Sequence, residues 1–227
     1  MAARHKDFFK LSNIMDTSLL DIFAQRGELV AKDVSSWQTF AGKGMKFLLQ
    51  SYDWDGCACV SYLTMRAFCG LMKMESLICT PYNKDLPLFS HDRIDVLGKQ
   101  TVLLELYDTL LEPTDLSSLE TVKTSYNDLK NKILKPAWYD SLKLPPSTFK
   151  VGRGKRLHNL TADMTTAYTA LFATAREVER EAKTARNSAY VEGLISNGGP
   201  AINTVRQMLG NEAAETLFRR FLFGTEE

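Results

Sequence analysis

Met45-Lys-Phe-Leu-Leu-Gln-Ser-Tyr52, Cys57-Ala-Cys-Val-Ser-Tyr-Leu-Thr-Met-Arg-Ala-Phe68 and Met72-Lys-Met-Glu-Ser-Leu-Ile-Cys-Thr80 are three consecutive β-prone runs. They are parted by Asp55-Gly56 and Cys69-Gly70, and Pro81-Tyr82-Asn83 closes the third. Such clusters mark tight turns. Links this short cannot hold a crossover helix, so successive strands must pair as antiparallel hairpins. A doubly wound parallel sheet is thereby excluded for the middle of the chain. A further run from Thr101 to Tyr107 follows the turn signal Leu97-Gly98-Lys99, so the predicted sheet spans about 45–108.

Outward from the sheet the pattern turns helical. The first 40 residues read as a helix-and-loop lead-in, with Leu19, Leu20, Ile22 and Phe23 offering a short apolar face. After Pro113, the caps in Asp115-Leu-Ser-Ser-Leu-Glu120 and the spacing of Leu119, Val122, Tyr126, Leu129 and Ile133 predict a helix closed by Pro136. Pro145-Pro146 leads into a short strand around Phe149 to Val151. Asp163 is placed as the cap of a long helix running to about Arg186. Asn197-Gly-Gly-Pro200 breaks the chain, with Pro200 suited to a first helical turn, and Gly210-Asn211 breaks it again before a terminal apolar helix. The expectation is an α+β fold, a three-layer α/β/α sandwich with a central antiparallel sheet, in a single domain over 1–227.

Composition bounds the function. Apolar residues make up 44% and charged residues 24% of 227, which is globular usage and too apolar for disorder. A net charge of +1 argues against a general polyanion binder, so no nucleic-acid partner is expected. There is no apolar run of spanning length, and Met1 to Lys10 lacks the apolar region of a secretory signal. The expectation is an intracellular monomer with no membrane partner. Cys57, Cys59, Cys69 and Cys79 follow no zinc or iron–sulfur spacing, and they read as core thiols.

Familiar catalytic signatures are missing. Gly42-Lys43-Gly44 has neither the spacing nor the following Ser/Thr of a phosphate-binding loop. His5, His91 and His158 are far apart in sequence, which makes a histidine metal site improbable. The basic segment Lys150-Val-Gly-Arg153-Gly-Lys-Arg156-Leu-His158 reads either as a solvated turn or as a clamp for carboxylates or an acidic protein. Thr80 to Asp95 stands apart, because it sets acids between two apolar strands. Such an acid is either a turn residue on the sheet's rim or a half-buried strand residue. In the second case burial raises its pKa toward that of a proton donor at neutral pH.

Asp85-Leu-Pro-Leu-Phe-Ser-His-Asp92, followed by Val102-Leu-Leu-Glu-Leu-Tyr-Asp108, resembles the central signature of the ferredoxin-dependent bilin reductases. Pro200-Ala-Ile-Asn-Thr-Val-Arg-Gln-Met-Leu-Gly210 through Phe221-Leu-Phe-Gly224 resembles that family's closing helices, in the same order. The resemblance implies a linear tetrapyrrole held between the sheet and the C-terminal helices. It implies reduction of biliverdin or a related bilin, as in phycobilin biosynthesis, by single electrons from ferredoxin and through a radical, with no resident cofactor. The location it implies is the cytoplasm, or the plastid stroma in a eukaryote.

By position, Asp92 matches the family's sheet-side catalytic aspartate. Ser76 falls where some members carry a histidine and others an asparagine. Gly199 falls where many carry a second aspartate, just before the helix-opening proline. Substrate contacts are expected from Ser76, His91, Arg153 and Asn197, with Arg153 or a neighbour serving propionates or ferredoxin docking. Adjacent strand residues point to opposite faces, so His91 and Asp92 should not both line one pocket. The absence of an acid at 199 keeps open a tetrapyrrole binder that has lost catalysis. A chlorophyll-catabolite reductase of the same superfamily is a further alternative.

Overall fold

A computed structural model describes residues 18–226. The readings at Met1 to Lys10 and at His5 lie outside the described residues. Eight strands form one wholly antiparallel sheet: β1 (Leu29–Ala31), β2 (Thr39–Gly42), β3 (Met45–Trp54), β4 (Ala58–Ala67), β5 (Met72–Pro81), β6 (Leu88–Val96), β7 (Lys99–Tyr107) and β8 (Thr148–Gly152). The spatial order is β1-β3-β4-β5-β6-β7-β8, and β2 lies beside β1 along the outer edge of β3. The meander from β3 to β7 is the hairpin ladder that the short turns require.

The sheet is wider than expected. Two short edge strands lie inside the supposed lead-in, and β8 adds a third beyond the predicted limit at 108. β6 is a full strand, so Asp92 lies within the sheet rather than on its rim.

Helices cover both faces. α1 (Ser18–Ala24), α2 (Ser117–Ser125) and α3 (Lys155–Leu171) bury Leu19, Phe23, Leu119, Leu160 and Met164 against Val60, Leu77, Phe89 and Leu104. On the opposite face lie α4 (Arg180–Asn197), α5 (Pro200–Leu209), α6 (Asn211–Thr216) and a final π-helical turn over Leu217–Leu222. They bury Val191, Ile202, Val205, Phe218 and Leu222 against Phe47, Leu49, Leu63 and Ile78. The α/β/α layering follows from the alternation along each strand, since β3 to β7 are apolar on both faces.

Three helix predictions need correction. α2 stops at Ser125, and Ile133 is 90% exposed, because Asn131 instead bridges to Lys150 at the edge of β8. Asp163 lies inside α3, where its carboxylate accepts the Tyr126 hydroxyl at 2.5 Å. The supposed long helix is also broken between α3 and α4. There the chain leaves helical geometry to bond the β5–β6 loop: Asp85 N–H donates to Arg176 O (2.9 Å), and Val178 N–H donates to Asn83 O (2.9 Å). Pro200 does open α5, and Gly210 parts α5 from α6.

Candidate active site

Ser76 on β5 and Asp92 on β6 are direct cross-strand partners, so their side chains share one face. Met74 and Ile78 flank Ser76 on that face, and Ile78 is in the core under α4 to α6. The Asp92 face is therefore the one under the C-terminal helices. Asp92 is half-buried, as are Ser76, Met74, Ile94 and Leu103 around it, so this part of the face is only partly covered. Burial pushes the Asp92 carboxyl up to about 6. The hydrogen bond from Ser76 pulls the other way, and the neighbouring Glu105 adds to the rise. A carboxyl in this state holds its proton in a measurable fraction of molecules at neutral pH and can give it up.

A second carboxylate stands on the same face. Glu105 on β7 faces Ser90, two positions along from Asp92, and is buried. It pairs with Lys143 at 2.8 Å, and Lys143 also pairs with Asp140 at 2.8 Å. The Lys143 ammonium lies over the rings of Phe149 and Tyr139, at 4.7 and 5.0 Å. Burial works to lower the Lys143 pKa, but its bonds to Asp140 and Glu105 prevail and raise it. Tyr107 extends the network by hydrogen bonds to Glu105 and Tyr190, the two tyrosine rings lying 4.4 Å apart. Burial drives both phenols above their ordinary range, so each stays a neutral donor.

A one-turn helix, Trp138–Leu142, roofs this side. The Trp138 indole donates to Gly198 O at 2.9 Å and presses so closely on α4 that a Cβ at Gly193 would lie 2.4 Å from the ring. The backbone of Gly199 is extended, and a Cβ there would sit 3.8 Å from Tyr139. Position 199 thus opens onto the same site, in a conformation and a space that admit a larger residue.

Of the anticipated site residues, Ser76 and Asp92 are brought together. Asn197 is exposed at the end of α4, its amide turned back to Gly193 O at 3.1 Å. Arg153 is exposed in the β8–α3 turn and donates to Leu97 O at 3.1 Å. His91 is fully buried on the opposite face, beneath α3, paired across strands with Leu77 and Leu104. A ligand lying over Asp92 does not touch it.

Among the basic side chains of the segment 150–158 only Lys150 is internal, and Arg153, Lys155 and Arg156 are exposed. Lys150 is buried and bonds Asn131 Oδ1 at 2.8 Å, while Arg156 pairs with Asp128 at 2.8 Å. Cys59 and Cys79 are buried on opposite faces, Cys57 is half-buried, and Cys69 is exposed, which corrects its reading as a core thiol. Asp85, the first acid of the signature, is structural. It accepts Leu111 N–H, Glu112 N–H and Arg176 at 2.9, 3.0 and 2.6 Å, with fully buried Lys183 at 3.4 Å. Those bonds hold the Asp85 carboxyl below its ordinary range against its burial. Burial lowers the Lys183 ammonium to about 8, although Asp85 opposes this.

No family model and no curated protein sequence matches the chain. The fold does have a match. Its architecture is shared with phytochromobilin synthase from tomato, solved in complex with biliverdin, with a TM-score of 0.69 over 96% of this chain and 83% of that one. At 13% identity, what the two have in common is the fold. Glu105 and Lys143 went unnoticed in the sequence, although one signal was there. Glu105 is an acid in mid-strand among leucines, the same pattern that singled out Asp92.

Proposed function

We propose that this chain reduces a linear tetrapyrrole, biliverdin or a bilin close to it, with Asp92 as proton donor. The observation that carries the reading is Asp92 paired with Ser76 on a half-covered face, where burial pushes its carboxyl up to about 6. The fold is one in which the tomato synthase is seen with biliverdin. A flat conjugated ligand suits this face: Met74, Ile94 and Leu103 offer apolar contact below, and Trp138 and Tyr139 offer aromatic edges above.

Each two-electron reduction consumes two electrons and two protons. In this reading the electrons arrive singly from reduced ferredoxin, with no resident cofactor, and stay delocalised over the tetrapyrrole until a proton fixes them at one carbon. Asp92 delivers that proton, solvent supplies the second and reprotonates Asp92, and the Ser76 hydroxyl stabilises the carboxylate in the interval. Glu105 favours its return to the acid form. The Tyr190–Tyr107–Glu105–Lys143 network supplies fixed dipoles and charge beside the reacting face.

Gly199 supports a second reading, a tetrapyrrole binder without turnover, because the helix side of the site carries no acid at that position. One experiment separates the two. Biliverdin is added under anaerobic conditions, the bound spectrum is recorded, and reduced ferredoxin follows. A shift to a shorter-wavelength product supports the reductase; a bound spectrum that persists unchanged supports the binder.

A further inference from the structure

Four of the six large apolar side chains exposed among the described residues gather at one end of the sheet: Phe68 (67%), Leu71 (56%), Val96 (44%) and Leu97 (67%). Phe68 and Leu71 belong to the β4–β5 turn, Leu97 to the β6–β7 turn, and Val96 ends β6; the pairing of Ala67 with Met72 and Met72 with Val96 sets the two tips side by side. Leu97 N–H donates to Leu71 O at 3.2 Å, so the two tips form one surface. Phe68, Leu71 and Leu97 lie beyond the last ladder pairs, Ala67 with Met72 and Val96 with Lys99.

The backbone bears a cost here. Phe68, Cys69 and Leu97 have φ of 51°, 54° and 52°, a left-handed region that bulky L-residues avoid. The two-residue turn Lys43-Gly44 and the three-residue turn Asp55-Gly56-Cys57 place a polar residue at the left-handed position that Leu97 fills in Leu97-Gly98. Asn and Asp are the usual choices there. Large apolar residues in strained, solvated positions gain no packing in return, which points to a role outside the fold.

The surroundings are cationic. Lys46, Arg66 and Lys73 occupy facing positions on β3, β4 and β5, with Lys99 and Arg153 around the second tip. One carboxylate stands at this end among the five cations: Asp95, which faces Lys73 across β5 and β6 and accepts Gly98 N–H at 2.8 Å and Gln100 at 3.4 Å. Lysine is depleted at protein–protein contacts, whereas lysines set behind protruding apolar tips match a plane of anionic headgroups over an apolar layer.

We infer that this end of the sheet docks on anionic lipid bilayers, Phe68, Leu71 and Leu97 entering the interface while Lys46, Lys73, Lys99 and Arg153 face the headgroups. The expectation of no membrane partner was drawn from the lack of a spanning segment, and it does not bear on surface docking. The inference is independent of the Asp92 chemistry.

The test is flotation of the full chain with vesicles of phosphatidylcholine alone or with about 30 mol% phosphatidylserine. Wild type should float with the anionic vesicles only, and less as salt rises. Phe68→Asn/Leu97→Asn suits the left-handed turns, so it should melt no lower than wild type yet partition about tenfold less. Lys73→Gln/Lys99→Gln should also partition about tenfold less, with a flatter salt dependence. Failure of wild type to float overturns the inference, and it would leave an acidic protein as the partner for this patch. Wild-type flotation by the Asn double variant also overturns it, since that would be adsorption by charge without insertion.

Discussion

Ser76 and Asp92 face each other across β5 and β6, and the Ser76 hydroxyl bonds a carboxyl that burial pushes up to about 6. The bond favours the carboxylate, so Ser76 sets how far the Asp92 pKa can climb. Removing it should move the Asp92 titration upward from about 6. Ser76→Ala should therefore extend the alkaline limb of the pH–rate profile to higher pH, as read by turnover or by isotope-edited infrared titration of the carboxyl.

Glu105 acts in the opposite sense. Its negative charge disfavours ionisation of Asp92, and Glu105→Gln removes that charge while leaving the Lys143 ammonium nearby. The Asp92 pKa should fall, so less of the acid form survives at pH 7 and the alkaline limb moves to lower pH. Shifts of opposite sign in the Ser76 and Glu105 variants distinguish this electrostatic account from general loosening of the site. Shifts of the same sign would refute it.

His91 makes a separate prediction about stability. Neither ring nitrogen has a hydrogen-bond partner among the described residues, and burial, with Arg93 and His158 nearby, lowers its pKa to about 3. The unfolded chain takes up the proton below about 6.5, whereas the folded chain does so only near 3. Stability is therefore lost as pH falls through that window. His91→Leu should stabilise the fold by about 1–2 kcal/mol at pH 7, by relieving unpartnered buried nitrogens. By linkage the advantage should grow by a further ~2 kcal/mol at pH 5. Urea unfolding at the two pH values measures both.

Asp85 should matter to folding and not to chemistry. Asp85→Ala strands the buried Lys183 ammonium with only Thr109 O at 2.6 Å, and it releases two backbone N–H groups and Arg176. The expected loss is about 3–5 kcal/mol. Lys183→Met should cost less, because Asp85 keeps three partners. Midpoints of chemical denaturation rank the two variants, and any folded Asp85→Ala protein should keep the Asp92 pH dependence.

Legibility followed locality. The hairpins β3–β4 and β4–β5 were visible because Asp55-Gly56 and Cys69-Gly70 mark their turns within a few residues, whereas β6 was not read as a strand because its polar residues Ser90 to Asp95 hide it. The edge strands Leu29–Ala31 and Thr39–Gly42 were not visible, since three or four residues are too few to show an apolar/polar alternation and their geometry comes from pairing with β3. The break between α3 and α4 contains neither Gly nor Pro; it is imposed by bonds to the distant loop around Asp85. In the site, Asp92 and Ser76 were found through a resemblance, and strand parity set His91 on the face opposite Asp92. The Lys143–Glu105 pair joins residues 38 apart in sequence, and no local pattern announces it.

The most direct measurement is single-turnover reduction of bound biliverdin by Asp92→Asn, followed by electron paramagnetic resonance and chromatography of the product. The amide keeps the shape of the carboxyl and its bond to Ser76 but removes the acid. Biliverdin affinity should stay near that of wild type, a bilin radical should accumulate, and product formation should fall by about a hundredfold or more. Product formed at the wild-type rate, with no radical, would contradict Asp92 as the proton donor.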